Sequence, residues 1–290
     1  MKKALLYSIF ALSIASTTLT SCEDIFGGFL DKQPSNELTG EQVFSDWNLT
    51  VQFHLDTYNF LRHGAGRIST TWLDAATDLA ETSYGNGVRT SFNIGNFYGG
   101  SGASELVDTW EHYYRGIRKC NMLLTRIEEV PQNPADSEDK YNRDKKNYIA
   151  EARFLRAYFY WELFLRYGPI PIVTEVLDPD GDLMSKYTIR PTTKEYVVDF
   201  ILEELKSCED DLLDYKTAWT SSSAGRIGQP MACALRSRIM LFMASPRYSS
   251  ESGITWQQAA NVAKEFIDNY GANFALFNDK DATGATLGIE

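Results

Sequence analysis

The sequence has few of the residues that build catalytic centres. It contains three histidines, His54, His63 and His112, and none stands in the HExxH spacing of a zinc peptidase. A serine-hydrolase elbow is also missing, because Ala103 stands where the motif around Ser101 needs its second glycine. These absences predict a protein without catalytic residues.

Cysteine is scarce as well. Apart from Cys22 near the N-terminus, the chain has only Cys120, Cys208 and Cys233. Each falls inside a predicted helix, and no two of them form a CxxC pair. The spacing therefore predicts neither a disulfide framework nor a zinc site, and we interpret these three residues as small core residues.

Clusters of positive charge are missing. The formal net charge is −11 and the isoelectric point is about 4.9. A face that binds phosphates needs grouped Lys and Arg, so nucleic acid is excluded as a partner. The acids do not form an evident metal site either: residues 178–182 place glycine fourth, and Ile189 stands where a calcium loop needs glutamate. The acids of residues 203–211 mostly fit a solvated helix face.

The N-terminus has the pattern of an export signal. Two lysines precede an apolar run at residues 4–15, and small residues lead to Cys22. The apolar run is too short to remain as a membrane span. The pattern is similar to a bacterial lipobox, and it predicts a signal peptide over residues 1–21, acylation of Cys22 and a lipidated tether over residues 22–38.

Helical periodicity dominates the rest of the chain. The densest apolar segment is a helix over 138–167, which is predicted to be buried on two sides and to end at Gly168 and Pro169. Its Glu162 and Arg166 stand at i, i+4 and are interpreted as a solvated pair. The helices are predicted to pair as follows: 48–62 with 104–130, 138–167 with 194–214, and 228–245 with 255–270.

Two of these helices have predicted buried faces. In helix 48–62, His54 is placed near the surface, and the buried face consists of Val51, Leu55, Tyr58 and Leu61. In helix 228–245, the buried face consists of Met231, Leu235, Ile239 and Phe242.

Residues 64–104 are the candidate ligand-binding loop. They are rich in glycine and aromatics and lack a sustained period. A long irregular loop with many aromatics is typical of a functional loop, since disordered linkers contain few aromatics. Sugar rings stack on aromatic side chains, and their hydroxyls bond to polar ones. The predicted binding residues are Trp72, Asp78, Tyr84, Arg89, Asn96, Phe97 and Tyr98. The alternative is that Phe92 and Phe97 only anchor the loop.

Three segments resemble the SusD/RagB family of surface lipoproteins. They are residues 110–124 (WEHYYRGIRKCNMLL), 147–173 (NYIAEARFLRAYFYWELFLRYGPIPIV) and 225–245 (GRIGQPMACALRSRIMLFMAS). The resemblance implies a mainly α, tetratricopeptide-like scaffold of helical pairs with long loop insertions. It places this SusD-like domain over residues 39–290 and implies that the domain is incomplete at its C-terminus.

The same resemblance implies a location and partners. The protein is expected to be lipid-anchored in the outer membrane and exposed at the cell surface, where Glu23 and Asp24 resemble an export signal. It is expected to bind oligosaccharide, without a cofactor, and to deliver it to a SusC-like TonB-dependent transporter. Two alternatives remain open: capture of oligopeptides by the same architecture, and a scaffold that binds no small ligand. An enzyme is the least favoured interpretation.

Overall fold

The computed structural model describes most of the helical part of the chain. The described residues are 39–62, 73–80, 93–95, 104–178, 180–181, 187–218, 220 and 223–274. The predicted signal peptide (1–21) and tether (22–38), with Cys22, lie outside them. The chain divides into two compact units, residues 1–42 and 43–290. No helix in the described ranges is both long enough and apolar enough to cross a bilayer.

Helices account for most of the described residues. In chain order they are α1 (Gly40–Phe44), α2 (Trp47–Asp56), α3 (Ser104–Arg126), α4 (Glu138–Tyr167), α5 (Lys194–Leu202, with wider π-type turns), α6 (Glu203–Cys208), α7 (Tyr215–Ala218), α8 (Gln229–Met243), α9 (Ser249–Ser252) and α10 (Trp256–Tyr270). Turns of 3₁₀ helix follow α2 (Thr57–Phe60) and α3 (Ile127–Glu129). Within the described part of the chain, extended backbone pairs only at a parallel bridge between Leu213 and Gly228.

Helix α4 is the centre of the core, and its bounds match the prediction. The Ser137 hydroxyl accepts a hydrogen bond from the Lys140 amide at 3.3 Å and caps the N-terminus. Gly168 ends the helix with φ of 68°, a conformation that favours glycine. Between these ends α4 buries aromatic and aliphatic residues around its whole circumference: Phe154, Leu155, Phe159, Tyr160, Trp161, Leu163 and Phe164.

The predicted pairing of helices is partly correct. Helix α4 packs against α5 and α6, and α8 packs against α10, as expected. Helix α3 does contact α2 and the 3₁₀ turn after it, but its most extensive partner is α4. The close approach of α3 to α4 depends on Gly116, since a Cβ there would lie 2.7 Å from Phe159 Cε2. The three cysteines of this core are all buried, as predicted.

The predicted buried faces of α2 and α8 are partly correct. Ile239 is buried, and Val51, Tyr58, Leu61 and Leu235 are half-buried against the core. In α2, Leu55 is 41% exposed, whereas Thr50 and His54 are buried; Thr57, in the 3₁₀ turn that follows, is also buried. In α8, Met231 and Phe242 are exposed, whereas the buried residues are Pro230, Ala232, Cys233, Arg236, Ile239 and Met243. In each helix one basic side chain is buried because a buried carboxylate faces it: Glu151 faces His54, and Glu209 faces Arg236.

Glu151 of α4 is the carboxylate that brings His54 into the core. Its Oε2 lies 2.8 Å from His54 Nε2 and accepts a hydrogen bond from the Tyr58 hydroxyl at 2.8 Å. Its Oε1 accepts from Arg226 Nε at 2.9 Å and from Nη2 at 2.6 Å. Glu151 and His54 are both buried. We call these four residues the Glu151 cluster; it joins α2, α4 and the segment before α8.

The pair Glu162 and Arg166 is also less exposed than expected. Arg166 Nη1 lies 3.0 Å from Glu162 Oε2, and the two side chains are 16% and 3% exposed, respectively. The prediction of a solvated pair is therefore wrong, because the aromatic core around α4 extends to this side of the helix.

Candidate functional site

The predicted binding loop is described only in part. Of its seven candidate residues the structure describes Asp78, which is exposed and follows the short turn Leu73–Ala76. Trp72, Tyr84, Arg89, Asn96, Phe97 and Tyr98 lie outside the described residues. One contact links two described pieces of the loop: Asn93 Nδ2 donates to the Ala75 carbonyl at 3.1 Å.

The chain leaves α4 along residues 170–177, which we call the exit segment. Side chains of α3 and α4 hold its backbone. The Tyr114 hydroxyl donates to the Pro171 carbonyl at 2.9 Å, and the Tyr160 hydroxyl donates to the Val173 carbonyl at 3.0 Å. The same Tyr160 oxygen accepts from the Val173 amide at 2.6 Å. The segment is thus fixed on the scaffold without belonging to a sheet.

Asn121 and Arg118 complete the attachment. Asn121 Nδ2 donates to the carbonyls of Val173 at 2.9 Å and Glu175 at 3.0 Å. Arg118 Nη1 donates to the Leu177 carbonyl at 3.1 Å. Asn121 is buried, and its own Oδ1 accepts from Arg156 Nη1 at 2.9 Å.

A groove of about 370 Å³ lies between α3 and the exit segment. We call it the Trp110 groove. Its apolar surface comes from Trp110, Tyr114, Ile117, Val173 and Leu177, and its polar lining from Glu111, Arg115, Arg118, Asn121 and Glu175. An apolar surface with a few polar groups around it is the usual composition of a small-ligand site.

Trp110 is the aromatic surface of this groove. It is 40% exposed, and its ring packs against Tyr114 with centroids 4.9 Å apart and edge to face with Tyr167 at 5.2 Å. These contacts fix the indole ring while part of it stays open to solvent. Burial raises the pKa of Tyr114, so its hydroxyl remains a neutral donor.

The charged groups of the groove come in both signs. Arg115 and Glu111, one turn apart on α3, lie 3.8 Å from each other and are largely exposed. Arg118 and Glu175 add one charge of each sign. Guanidinium and carboxylate groups around an aromatic ring offer donors and acceptors to a polyhydroxylated ligand whose apolar face stacks on the ring.

Sequence reasoning did not identify this groove. Trp110, Tyr114 and Arg118 stand at i, i+4 and i+8 of α3, a spacing that places them on one helix face. The sequence shows this spacing, but a helix face that packs into the core has the same spacing. The partner surface lies more than 50 residues further along the chain, and no local pattern indicates the pairing.

A second polar cluster lies between α6, α8 and α10. Glu209, Cys233 and Glu265 offer three ligand atoms within 4.8 Å of one another. Arg236 contacts Glu209 and lies 2.7 Å from Glu265, so one guanidinium bridges the two carboxylates. Burial raises the pKa of the Cys233 thiol to about 11. The arrangement fits an ion-paired link between helices.

The predicted solvated face of residues 203–211 is wrong for two of its acids. Glu209 is buried against Arg236, as described above. Glu204 bonds to Arg153 and Arg156. Burial opposes ionisation of Glu204, but its hydrogen bonds with Arg153 and the charge of Arg156 outweigh burial and hold its pKa below the ordinary value.

Comparison with known proteins gives consistent matches. A family model named SusD-like and described as "Starch-binding associating with outer membrane" matches residues 28–241. SusD-like protein P38 of Formosa agariphila is 24% identical over 228 residues, 77% of this chain and 41% of that protein. SusD-like protein P25 of the same organism is 25% identical over 167 residues, 54% of this chain and 29% of that protein. The chain thus spans less than half the length of these curated relatives.

Solved structures share the fold. A SusD-like protein from Bacteroides fragilis superposes with a TM-score of 0.63 at 25% identity, covering 84% of this chain and 42% of that one. A laminarin-binding SusD-like protein gives a TM-score of 0.59 at 21% identity, with 82% and 47% coverage. The predicted mainly α, tetratricopeptide-like scaffold is confirmed.

Proposed function

This chain belongs to the SusD-like family, and on that premise we propose that the protein captures oligosaccharide at the cell surface and delivers it to a SusC-like TonB-dependent transporter. The family's description as starch-binding supports a glycan as ligand. A protein of the same fold that binds laminarin shows that the scaffold is compatible with glycan binding. Its mechanism is capture and release, without bond cleavage.

The observation that carries the proposal is the Trp110 groove. A rigidly packed, partly exposed indole beside Arg115, Arg118 and Glu175 supplies stacking and hydrogen bonding in one place. Helix α3 begins at Ser104, the last residue of the loop of residues 64–104. We therefore propose that the groove and the loop residues Trp72, Asp78, Tyr84, Arg89, Asn96, Phe97 and Tyr98 form one binding site.

Isothermal titration calorimetry with neutral oligosaccharides tests the proposal. Panels of β-glucan, α-glucan and mannan oligomers are titrated into the protein, and a pool of random tripeptides to hexapeptides is titrated in parallel. Saturable heat with at least one glycan series and none with the peptides supports the proposal. Heat with the peptides alone supports the oligopeptide alternative, and no heat with either supports a scaffold role.

Replacement of Trp110 by alanine is expected to weaken glycan binding by about 10-fold or more. The loss of about 1.4 kcal/mol of stacking corresponds to a 10-fold change in Kd. Trp256→Ala is the matched control, because Trp256 is 56% exposed but lies on α10 and does not line the groove. Equal affinities for the two variants would exclude the groove as the binding site.

We also propose that the protein is attached to outer-membrane lipid through acylated Cys22, with residues 1–21 removed and residues 22–38 acting as a tether. More than one fatty chain on a cysteine anchors a protein stably in a membrane, whereas a single chain gives only marginal membrane binding. In cells grown with an alkyne-labelled palmitate, the protein is expected to carry label and Cys22→Ala to carry none. Equal labelling of both would contradict the anchor.

A further inference from the structure

Only one of the two backbone edges of the exit segment forms hydrogen bonds with the helices. The carbonyls of Pro171, Val173, Glu175 and Leu177 all accept hydrogen bonds from side chains of α3 and α4. These are every second residue. In an extended chain the N–H and C=O of alternate residues point to the same side, so this pattern shows one edge turned toward the two helices.

The opposite edge carries the backbone groups of the residues in between. Within the described residues, no hydrogen bond involves the backbone of Ile172, Thr174 or Val176. Thr174 and Val176 are exposed and Ile172 is half-buried. The chain bends at Glu175, so the straight part of this edge is short and runs from Ile172 to Thr174. We call the outward-facing backbone groups of Ile172 and Thr174 the free edge.

A second groove, of about 480 Å³, runs beside the free edge. Its lining consists of Pro171, Ile172, Thr174, Glu175, Tyr187, Ile189, Pro191 and Glu195. The apolar members include Ile189, whose side chain is 82% exposed. Among the described residues that line this groove, the charged ones are two glutamates, and neither Lys nor Arg is present.

Both carboxylates accept hydrogen bonds from neighbouring residues. Glu195 Oε2 accepts hydrogen bonds from the Thr192 amide at 2.7 Å and hydroxyl at 2.9 Å, and these bonds lower the pKa of Glu195. Glu175 Oε1 accepts from the Tyr187 hydroxyl at 2.5 Å. A ligand that enters this groove therefore meets negative charge beside apolar surface.

We propose that the free edge docks an extended, basic segment of a partner polypeptide. Alternating donors and acceptors on a free strand edge are matched by the backbone of another extended chain, and pairing of this kind is an established way for proteins to bind peptides. The carboxylates select lysine or arginine in the partner, and Ile172, Ile189 and Pro191 contact its apolar residues.

A protein segment fits this surface better than a glycan does. A sugar ring offers no regular series of donors and acceptors at the spacing of a strand. Among the described residues that line this groove, the one aromatic side chain is Tyr187, whose hydroxyl is already bonded to Glu175. The proposal can be tested apart from the proposed function because Ile172 and Thr174 do not line the Trp110 groove, although Glu175 lines both grooves.

A capped octapeptide of alternating valine and lysine is the probe. Its affinity for the whole chain is measured by fluorescence anisotropy, together with that of the same peptide N-methylated at every residue, so that neither of its edges keeps N–H donors. N-methylation leaves the charges and the side chains unchanged and removes the backbone donors that pairing needs. We expect the N-methylated peptide to bind at least about fivefold more weakly, as the loss of one or two hydrogen bonds implies.

Thr174→Pro is the matching change in the protein. It removes an N–H that makes no internal hydrogen bond, and Val173 before it lies in the extended part of the segment, so the fold should be kept. We expect Thr174→Pro to weaken binding at least about fivefold and Thr174→Ser to retain it. In amide hydrogen exchange, Thr174 should become protected by the peptide, while Val173, already bonded to Tyr160, should not change.

Three outcomes would overturn the proposal. They are no saturable binding of the probe, equal binding of the N-methylated peptide, or binding to Thr174→Pro as tight as to Thr174→Ser. The N-methylated peptide acts on the unmodified protein, so that comparison holds even if Thr174→Pro fails to fold.

Discussion

Glu151→Ala is expected to lower the free energy of unfolding by about 3–5 kcal/mol. The carboxylate is buried and is the common partner of His54, Tyr58 and Arg226. Its removal leaves a guanidinium partly buried without its counter-charge, and breaking a buried ion pair from one side costs this amount. Burial opposes the charge of Arg226, but Glu151 outweighs it and raises the pKa of Arg226, so that side chain stays charged. Urea denaturation followed by circular dichroism measures the change.

Glu111→Ala is the control for this prediction. Glu111 also pairs with an arginine, but its side chain is 77% exposed. Exposed pairs contribute little, so the control should change the free energy of unfolding by no more than about 0.5 kcal/mol. If Glu151→Ala costs less than about 1 kcal/mol, the Glu151 cluster does not hold α2, α4 and the segment before α8 together.

Asn121→Ala is expected to lower the free energy of unfolding by about 2–3 kcal/mol. The amide connects Arg156 to the carbonyls of Val173 and Glu175. Alanine leaves buried polar groups unsatisfied, and each such group costs about 1–3 kcal/mol. Because Asn121 also lines the Trp110 groove and holds its second wall, glycan affinity should fall with stability.

Asn142→Ala is the matched control, since Asn142 is an exposed residue of α4. It should leave the free energy of unfolding within about 0.5 kcal/mol of the parent protein. Equal unfolding midpoints in urea for Asn121→Ala and Asn142→Ala would show that the exit segment is held by packing alone.

The sequence predicts the helices well because their ends carry strong local signals. Ser137 caps α4, and Gly168 and Pro169 end it, so both bounds follow from a few neighbouring residues. The burial of His54 in α2 could not be predicted in the same way. His54 is buried because it meets Glu151, 97 residues away, and no property of α2 alone indicates that contact.

The candidate site, too, is predictable from the sequence only where local patterns determine it. The aromatic content of residues 64–104 indicates a functional loop, and helical spacing places Trp110, Tyr114 and Arg118 on one face of α3. What turns that face into a groove is the exit segment, whose position depends on bonds from Tyr114, Asn121 and Tyr160. Long-range hydrogen bonds of this kind have no periodic signature in a sequence.

The scaffold explains how a groove can be rigid without a sheet. Side chains of two core helices hold the exit segment at every second carbonyl, and the helices themselves pack around α4. Preorganisation of this kind lowers the entropic cost of binding a flexible oligosaccharide.

The most direct test of a glycan-binding groove on this scaffold is a nuclear magnetic resonance titration of the isotope-labelled protein with the oligosaccharide that binds most tightly in calorimetry. The indole N–H signal of Trp110 and backbone signals of residues 110–121 and 173–177 are expected to shift with ligand and to saturate together, while the indole signal of Trp256 stays unchanged. If the shifts map to α8 and α10 and leave Trp110 unaffected, the groove is not the glycan site and the account is wrong.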